Sequence, residues 1–452
     1  MEVVGRQKLA YREYSNDFRC KEVLGIQPID DARCILFLAG SSYDVIATMY
    51  RFDKDSGTLS STGQRLVLGE ISDKDITPSD LSSVLCNGYT VVSFGSKSLN
   101  SWKQVVLKAD DMILSITDSQ DVSGSSSQSG SSNTLTLLGD RIVNIATQDY
   151  EDCFAISVFR VSASGKITYI NKRVVTDIKH ATYYSNVQSI AIDGERLMII
   201  GCCGIYVTAR ICTVKENEPP LLSKEVPLDR AYEYSGVAQF APGIFVVVYC
   251  VETYDRYLYM NVIKVSESDN SIQVLKKTKI VPEASAGTYC DIMSIGADKF
   301  VVRNGHARYF TISIDAKDWS CEAVEPTWSV DSLSYNDRCS YAEMKLLPGT
   351  PCLIAPVIEA GSNFTLRTEC LSIRTTARMA KNAVSGTTLT TLKPLGSPPG
   401  AVLEWDANEP ATNRYAVPDR LLAQIKDDTV EEIQQEVTKN ADDKTEGTGG
   451  AP

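Results

Sequence analysis

Seven copies of one strand pattern run from about Val23 to Ile373, and no other feature limits the fold so tightly. In each copy a short alternating strand leads through a tight turn into a second, more apolar strand. A polar loop, a third strand, a second turn and a fourth strand follow. The second strands align as Ile35–Leu38, Tyr89–Val92, Arg141–Asn144, Leu197–Ile200, Ile244–Val247, Phe300–Val302 and Cys352–Ile354. Ile35 and Cys352 stand six steps apart, which sets the period at roughly 53 residues. The fourth copy is the cleanest. Val187-Gln188-Ser189-Ile190-Ala191-Ile192 alternates, turns at Asp193-Gly194 and passes into Arg196–Cys202; Ile205–Cys212 alternates again and Leu221–Leu228 completes the unit. Alternation marks strands with one buried face, and Asp-Gly is a strong hairpin signal. Equivalent first turns fall at Asn87-Gly88, Gly139-Asp140, Pro242-Gly243, Ala297-Asp298 and Pro348-Gly349.

A lone four-stranded sheet cannot bury both of its faces. Stacking the units around an axis covers those faces and leaves only short edges. A repeat of this kind is the signature of a propeller blade. The expected fold is therefore all-β, a seven-bladed β-propeller over 21–374 with a C-terminal extended and helical tail. Closing the ring requires a fourth strand for the seventh copy. The N-terminal segment, 1–20, offers the weakly alternating Val3–Tyr14 as closing strand; Thr387–Leu392 is the competitor, and the N-terminal option is preferred. Residues 375–417, with Pro394–Pro418 rich in Pro and Gly, are expected to run extended over the surface. Leu421, Leu422, Ile425, Ile433 and Val437 recur at helical spacing and predict an amphipathic acidic helix over 418–440. A disordered end is expected over 441–452.

The net charge is −12, and residues 418–452 hold nine acids against four bases. That sign opposes phosphate binding, so nucleic acid is not an expected partner. No apolar run approaches the roughly 20 residues of a membrane helix, and none is expected to span a bilayer. The longest such stretch, Phe240–Val251, is broken by Pro242-Gly243. The first residues lack a secretory apolar core, so synthesis in the cytoplasm or another reducing compartment is expected, without a signal peptide. Thirteen cysteines are scattered with no Cys-x-x-Cys pair, which reads as buried thiols and not as a disulfide framework or a zinc site.

Topology sorts the loops. The connections between second and third strands share a face with those between copies, while the short turns lie opposite. The loop face is rich in tyrosine and acid. Tyr43, Tyr150 and Tyr254 lie in two-to-three loops and Tyr184 and Tyr234 between copies, with Asp149, Asp255 and Arg256 beside them. Tyrosine offers rigid amphipathic contact area, and loops on a stiff frame commonly carry binding. The competing reading wedges these tyrosines between neighbouring blades. Catalytic signals are sparse. The two histidines, His180 and His306, stand near no activating Ser or Cys motif. Asp53-Lys54-Asp55-Ser56-Gly57 has the opening of a calcium loop but not its later ligands, and it falls where a turn wants Asp and Gly. No cofactor or metal is expected.

By its repeats the chain resembles the seven-bladed propeller superfamily over about three-quarters of its length, outside the WD-repeat and kelch branches, whose Gly-His, Trp-Asp and double-glycine marks it lacks. Tyr50–Leu59 resembles the hairpin between outer strands of lactonase-type propellers, and Ser162-Ala163-Ser164-Gly165-Lys166-Ile167 repeats it. Met379–Gly386 is faintly similar to short segments of bacteriophage structural proteins. Two functions follow as expectations. The first is a non-enzymatic binding or structural propeller that presents its tyrosine face to a protein or glycan partner, with a virion component as one form and assembly through the tail. The second is a lactonase-like or other hydrolase propeller with a site at the mouth of the central channel.

Overall fold

In the computed structural model, the chain is all-β over residues 2–9, 20–40, 44–53, 58–61, 63–71, 81–96, 101–123, 132–148, 153–175, 184–203, 206–230, 235–251, 257–281, 290–295, 298–304, 308–323, 328–329, 340–341, 344–348, 352–359 and 365–372, the residues that the structure describes. They form seven antiparallel sheets. Sheet one holds Cys20–Pro28, Arg33–Gly40, Asp44–Asp53 and an outer strand in two pieces, Thr58–Ser61 and Leu66–Glu70. Sheet two is Leu81–Cys86, Tyr89–Ser96, Ser101–Asp110 and Ile113–Ser123; sheet three is Asn133–Leu138, Arg141–Gln148, Cys153–Val161 and Ile167–Val175. Sheet four is Tyr184–Ala191, Arg196–Cys203, Tyr206–Thr213 and the pieces Leu221–Leu222 and Val226–Arg230. Sheet five is Ser235–Ala241, Ile244–Val251, Tyr257–Val265 and Ile272–Val281. Sheet six is Cys290–Ser294, Lys299–Asn304, Arg308–Ile314 and the pieces Cys321–Ala323 and Trp328–Ser329. In sheet seven Ser340–Tyr341 and Lys345–Leu346 pair with Cys352–Glu359, which pairs with Thr365–Ser372, and Glu2–Leu9 lies outermost.

The second strands of sheets four and five are apolar because each serves two cores. In sheet four Leu197 and Ile199 pack toward sheet three, while Met198 and Ile200 pack toward sheet five. In sheet five Phe245, Val247 and Tyr249 face sheet four, and Val246 and Val248 face sheet six. Period-2 geometry sends neighbouring residues to opposite faces, and here both faces are dry. Burying one such side chain stabilises by about 1.5–3 kcal/mol. Sheets one to six pack consecutively through their first strands, and sheet seven packs on the first strand of sheet one. The first turn of sheet two is built as a tight hairpin demands: Asn87 and Gly88 both take positive φ, 51° and 79°, which matches the strand twist.

On the turn face, the first residue of a second strand reaches the turn between the third and fourth strands of the next sheet. Arg33 Nη1 donates to Asp111 O at 2.6 Å, Tyr89 OH to Ala163 O at 2.9 Å, Arg141 Nη1 to Val214 O at 2.9 Å and Arg196 Nη1 to Ser266 O at 2.9 Å. Two of these arginines are aimed by the same device. Asp30 Oδ1 accepts from the N–H groups of Ala32 and Arg33 while Oδ2 holds Arg33 Nε at 2.7 Å. Asp193 does the same for Glu195 and Arg196. Sheet five has Ile244 at this position, and there Phe240 meets Trp319 of sheet six edge-on, ring centroids 5.6 Å apart.

The outer strand expected over Leu221–Leu228 is broken. Ser223 causes the break: its N–H still bonds Ile211 O, but its Oγ also accepts from Ile211 N–H, so side chain replaces backbone in the ladder. Residues 375–417, 418–440 and 441–452, and the competing strand 387–392, lie outside the described residues.

Candidate functional site

An inner strand leaves one row of backbone N–H and C=O groups without a strand partner, and buried groups of that kind need one. Side chains of the preceding sheet supply it. Ser82 Oγ accepts from Leu135 N–H at 2.9 Å, Ser132 Oγ from Val187 N–H at 2.7 Å, Gln188 Oε1 from Val237 N–H at 3.2 Å and Asp291 Oδ2 from Met344 N–H at 2.8 Å. Each tie runs from one sheet to the next in chain order. Between sheets five and six the approach is closer: a Cβ on Gly236 would sit 2.9 Å from Asp291 Cα and from Ile292 N, so the two backbones meet directly. Ser83 Oγ donates to Gln27 Oε1 at 3.1 Å, and Ser189 Oγ bonds Thr134 Oγ1 at 2.9 Å and also Thr136 Oγ1.

The first strands are thus tied to one another by hydroxyl, amide and carboxylate groups. Among the described side chains of these first strands, the charged ones are Asp291, buried, and Lys345, half-buried. Asp291 Oδ1 accepts from its own chain at Ile292 N–H, 2.8 Å away, and the buried Arg303 guanidinium comes within 4.0 Å of Oδ2. A buried ionic pair of this kind needs hydrogen bonds on its remaining lone pairs, and the two N–H donors provide them.

A second polar cluster lies between sheets four and five. Tyr249, fully buried, donates to Asp229 Oδ2 at 2.8 Å. Lys277 Nζ meets the same oxygen at 2.5 Å and lies 5.0 Å from the centroid of the Tyr259 ring. Burial and the Asp229 bond push the Tyr249 phenol well above its ordinary range, so it acts as a donor. Burial also pushes the Cys212 thiol up to about 12, which makes it an inert core group. Among the described residues no three His, Cys, Asp or Glu side chains gather as a metal would require, and no helix is long and apolar enough to cross a membrane.

The expected binding face is only touched by these residues. Tyr43, Asp149, Tyr150, Tyr234, Tyr254, Asp255 and Arg256, with His180 and His306, lie outside the described residues. Tyr184 opens the first strand of sheet four opposite Cys203. The wall residues Ser82, Ser132, Gln188 and Asp291 were not singled out from the sequence. Their signal is a polar residue near the start of each first strand, which alternation alone assigns to solvent.

No family model matches this chain, and no curated protein matches it. Solved structures do. A protein from Lactobacillus plantarum superposes with a TM-score of 0.51 at 10% identity, covering 75% of this chain and 99% of its own. A putative 6-phosphogluconolactonase from Bacteroides uniformis gives a TM-score of 0.50 at 9% identity, over 68% of this chain and 85% of its own. The periplasmic gluconolactonase of Pseudomonas aeruginosa gives 0.49 at 13% identity, over 77% and 99%. At these identities the likeness is one of fold, and with the stacked four-stranded sheets it makes this chain a propeller-type protein.

Proposed function

We propose that the seven sheets are the seven blades of one propeller, and that it takes a small, oxygen-rich ligand of the lactone or sugar-acid class at the loop-side mouth of its axial channel, as a lactonase-like hydrolase. The observation that carries this reading is the composition of the inner wall. An apolar wall would have ruled out such a ligand. Instead Gln27, Ser83, Thr134, Gln188 and Ser189 bring hydroxyl and amide groups to the first strands, half-buried or buried. Those groups suit hydroxyl-bearing ligands, since a polar site discriminates for partners that replace its hydrogen bonds. The name of the Bacteroides uniformis protein points to the same ligand class.

The other reading is a non-enzymatic propeller that meets a protein or glycan partner through Tyr43, Tyr150, Tyr184, Tyr234 and Tyr254. It rests on the loop sequences, and its virion form rests on residues 379–386 alone. One experiment separates the two. The full-length chain is mixed with glucono-δ-lactone in weak buffer and acid release is followed in a pH-stat. The hydrolase reading expects release above the chain-free rate and a loss of at least about tenfold in S83A and S189A. Release at the chain-free rate, with no lactone-dependent rise in melting temperature, sinks it. Binding on a glycan array that is lost in Y234A/Y254A would then favour the other reading.

A further inference from the structure

The outer strand of sheet five, Ile272–Val281, is the most basic of the described outer strands, ahead of Ile167–Val175 of sheet three with its Lys172 and Arg173. Its ten residues include three lysines and no acid, and it is continuous where those of sheets one, four and six are broken. Lys276, Lys277 and Lys279 are all exposed along it, and Val274 is 39% exposed beside them. Lys277 is fixed in place by Asp229 and by the Tyr259 ring. Lys276 lies near enough to Asp318 to help hold that carboxyl low, although the backbone N–H of Ser320 is the larger cause. This basic edge stands on a chain of net charge −12, whose residues 418–452 carry nine acids against four bases. An outer strand also offers a free row of backbone N–H and C=O groups.

We propose that the lysine edge of sheet five is the docking surface for the acidic C-terminal segment of the same chain, between Asp419 and Glu446. The complement is specific in sign. The outer strand of sheet two, Ile113–Ser123, carries Asp118 and Asp121 and would repel that segment. The connection after Ser372 is 46 residues to Pro418, and even a loose coil of that length reaches about 35–40 Å, enough to cross to a neighbouring part of the ring. Tethering raises the effective concentration of the acidic segment to about the millimolar range, so a few exposed charge pairs suffice. The surface would thus be self-occupied at low salt and released as salt rises, because exposed pairs are screened beyond about 10 Å at 0.1 M.

The test uses the full-length chain and a zero-length carbodiimide, which joins an amine to a carboxylate only when they touch. Dilute protein is reacted, the monomer-size band is digested, and the links are mapped by mass spectrometry. Links from Lys276, Lys277 or Lys279 to carboxylates between 419 and 446 are expected in the unaltered chain, falling about tenfold when only the tail charge is reversed in D427K/D428K/E431K/E432K, which leaves the other tail carboxylates to report. Adding K276E/K277E/K279E to that tail variant should give links of reversed polarity, from the new tail amines to the new strand carboxylates. The tail variant alone leaves the sheets unaltered, so it reports even where the lysine variant fails to fold. Tail links made mainly to other lysines overturn the proposal. Links confined to a dimer-size band overturn it as well, since the occupant would then be a second copy.

Discussion

Adding one methyl group at Gly236 puts the backbone-to-backbone contact between sheets five and six to the test. The new Cβ would lie 2.9 Å from Asp291 Cα and Ile292 N and 3.1 Å from Asp291 C, all of them backbone. Ordinary contact begins at 3.4 Å, so sheets five and six must part by about half an ångström. No flexible side chain can yield, and each sheet is held by its neighbours, so the strain spreads to the adjacent junctions. Overpacking of this kind costs about 1–3 kcal/mol, and G236A belongs at the upper end. Two other glycines serve as controls. Gly194 has open space around its missing Cβ and no left-handed φ, so G194A should change stability by less than about 0.5 kcal/mol. Gly88 also has open space but sits at φ +79°, so G88A pays for backbone strain alone, about 1 kcal/mol. Urea unfolding followed by tryptophan fluorescence would rank the three. The reasoning fails if G236A unfolds with the unaltered protein, or if G194A loses as much as G236A.

Arg196→Ala should cost about 1–2 kcal/mol, because it removes the bonds to Ser266 O and Asn270 Oδ1 across sheets four and five; R196K should not recover it, since lysine lacks the fork. Asp193→Ala should lose much of the same energy, and a double-mutant cycle with R196A should show strong coupling. Burial raises the Asp193 carboxyl, but the N–H groups of Glu195 and Arg196 and the Arg196 guanidinium outweigh it and hold it below its ordinary range; Asp118 is held low in the same way by Ile167 N–H and Gln120. A depressed carboxyl contributes stability that is whole above the unfolded value of about 3.9 and fades as pH falls through the folded one. Denaturation midpoints measured from pH 5 to pH 2 should therefore fall less steeply in D118N/D193N. Asp298 has the opposite sign: burial raises it, so ionisation at neutral pH works against folding. D298N should stabilise by up to about 1 kcal/mol at pH 7, and the gain should vanish as pH falls through the raised value.

Much of the fold is written locally. The second strands stand out because Leu197–Ile200 or Phe245–Val248 is buried on both faces, which leaves an apolar run that no half-exposed strand would show. The first turns stand out because Asn87-Gly88 accepts positive φ twice in succession. The outer strands were less legible, since Ser223 looks like any other strand serine until its hydroxyl is seen to displace a backbone acceptor. The repeated Asp-x-x-Arg of Asp30–Arg33 and Asp193–Arg196 lay in plain view, but its purpose depends on a carbonyl some seventy positions further on. The same holds at the axis. Ser82, Gln188 and Asp291 read as solvent-side residues because alternation says nothing of a neighbouring sheet's bare edge. The loop tyrosines remain a property of the sequence, and the wall beneath them is what the structure adds.

Glu2 pairs with Ser372 and Leu9 with Leu366, so the earliest and latest strands of the sheet region lie side by side. During synthesis the first strand must therefore wait for nearly all the rest to leave the ribosome. In the proposed closed propeller, six sheets can assemble before that pairing only as an open arc, whose uncovered edges invite association until Glu2–Leu9 joins Thr365–Ser372.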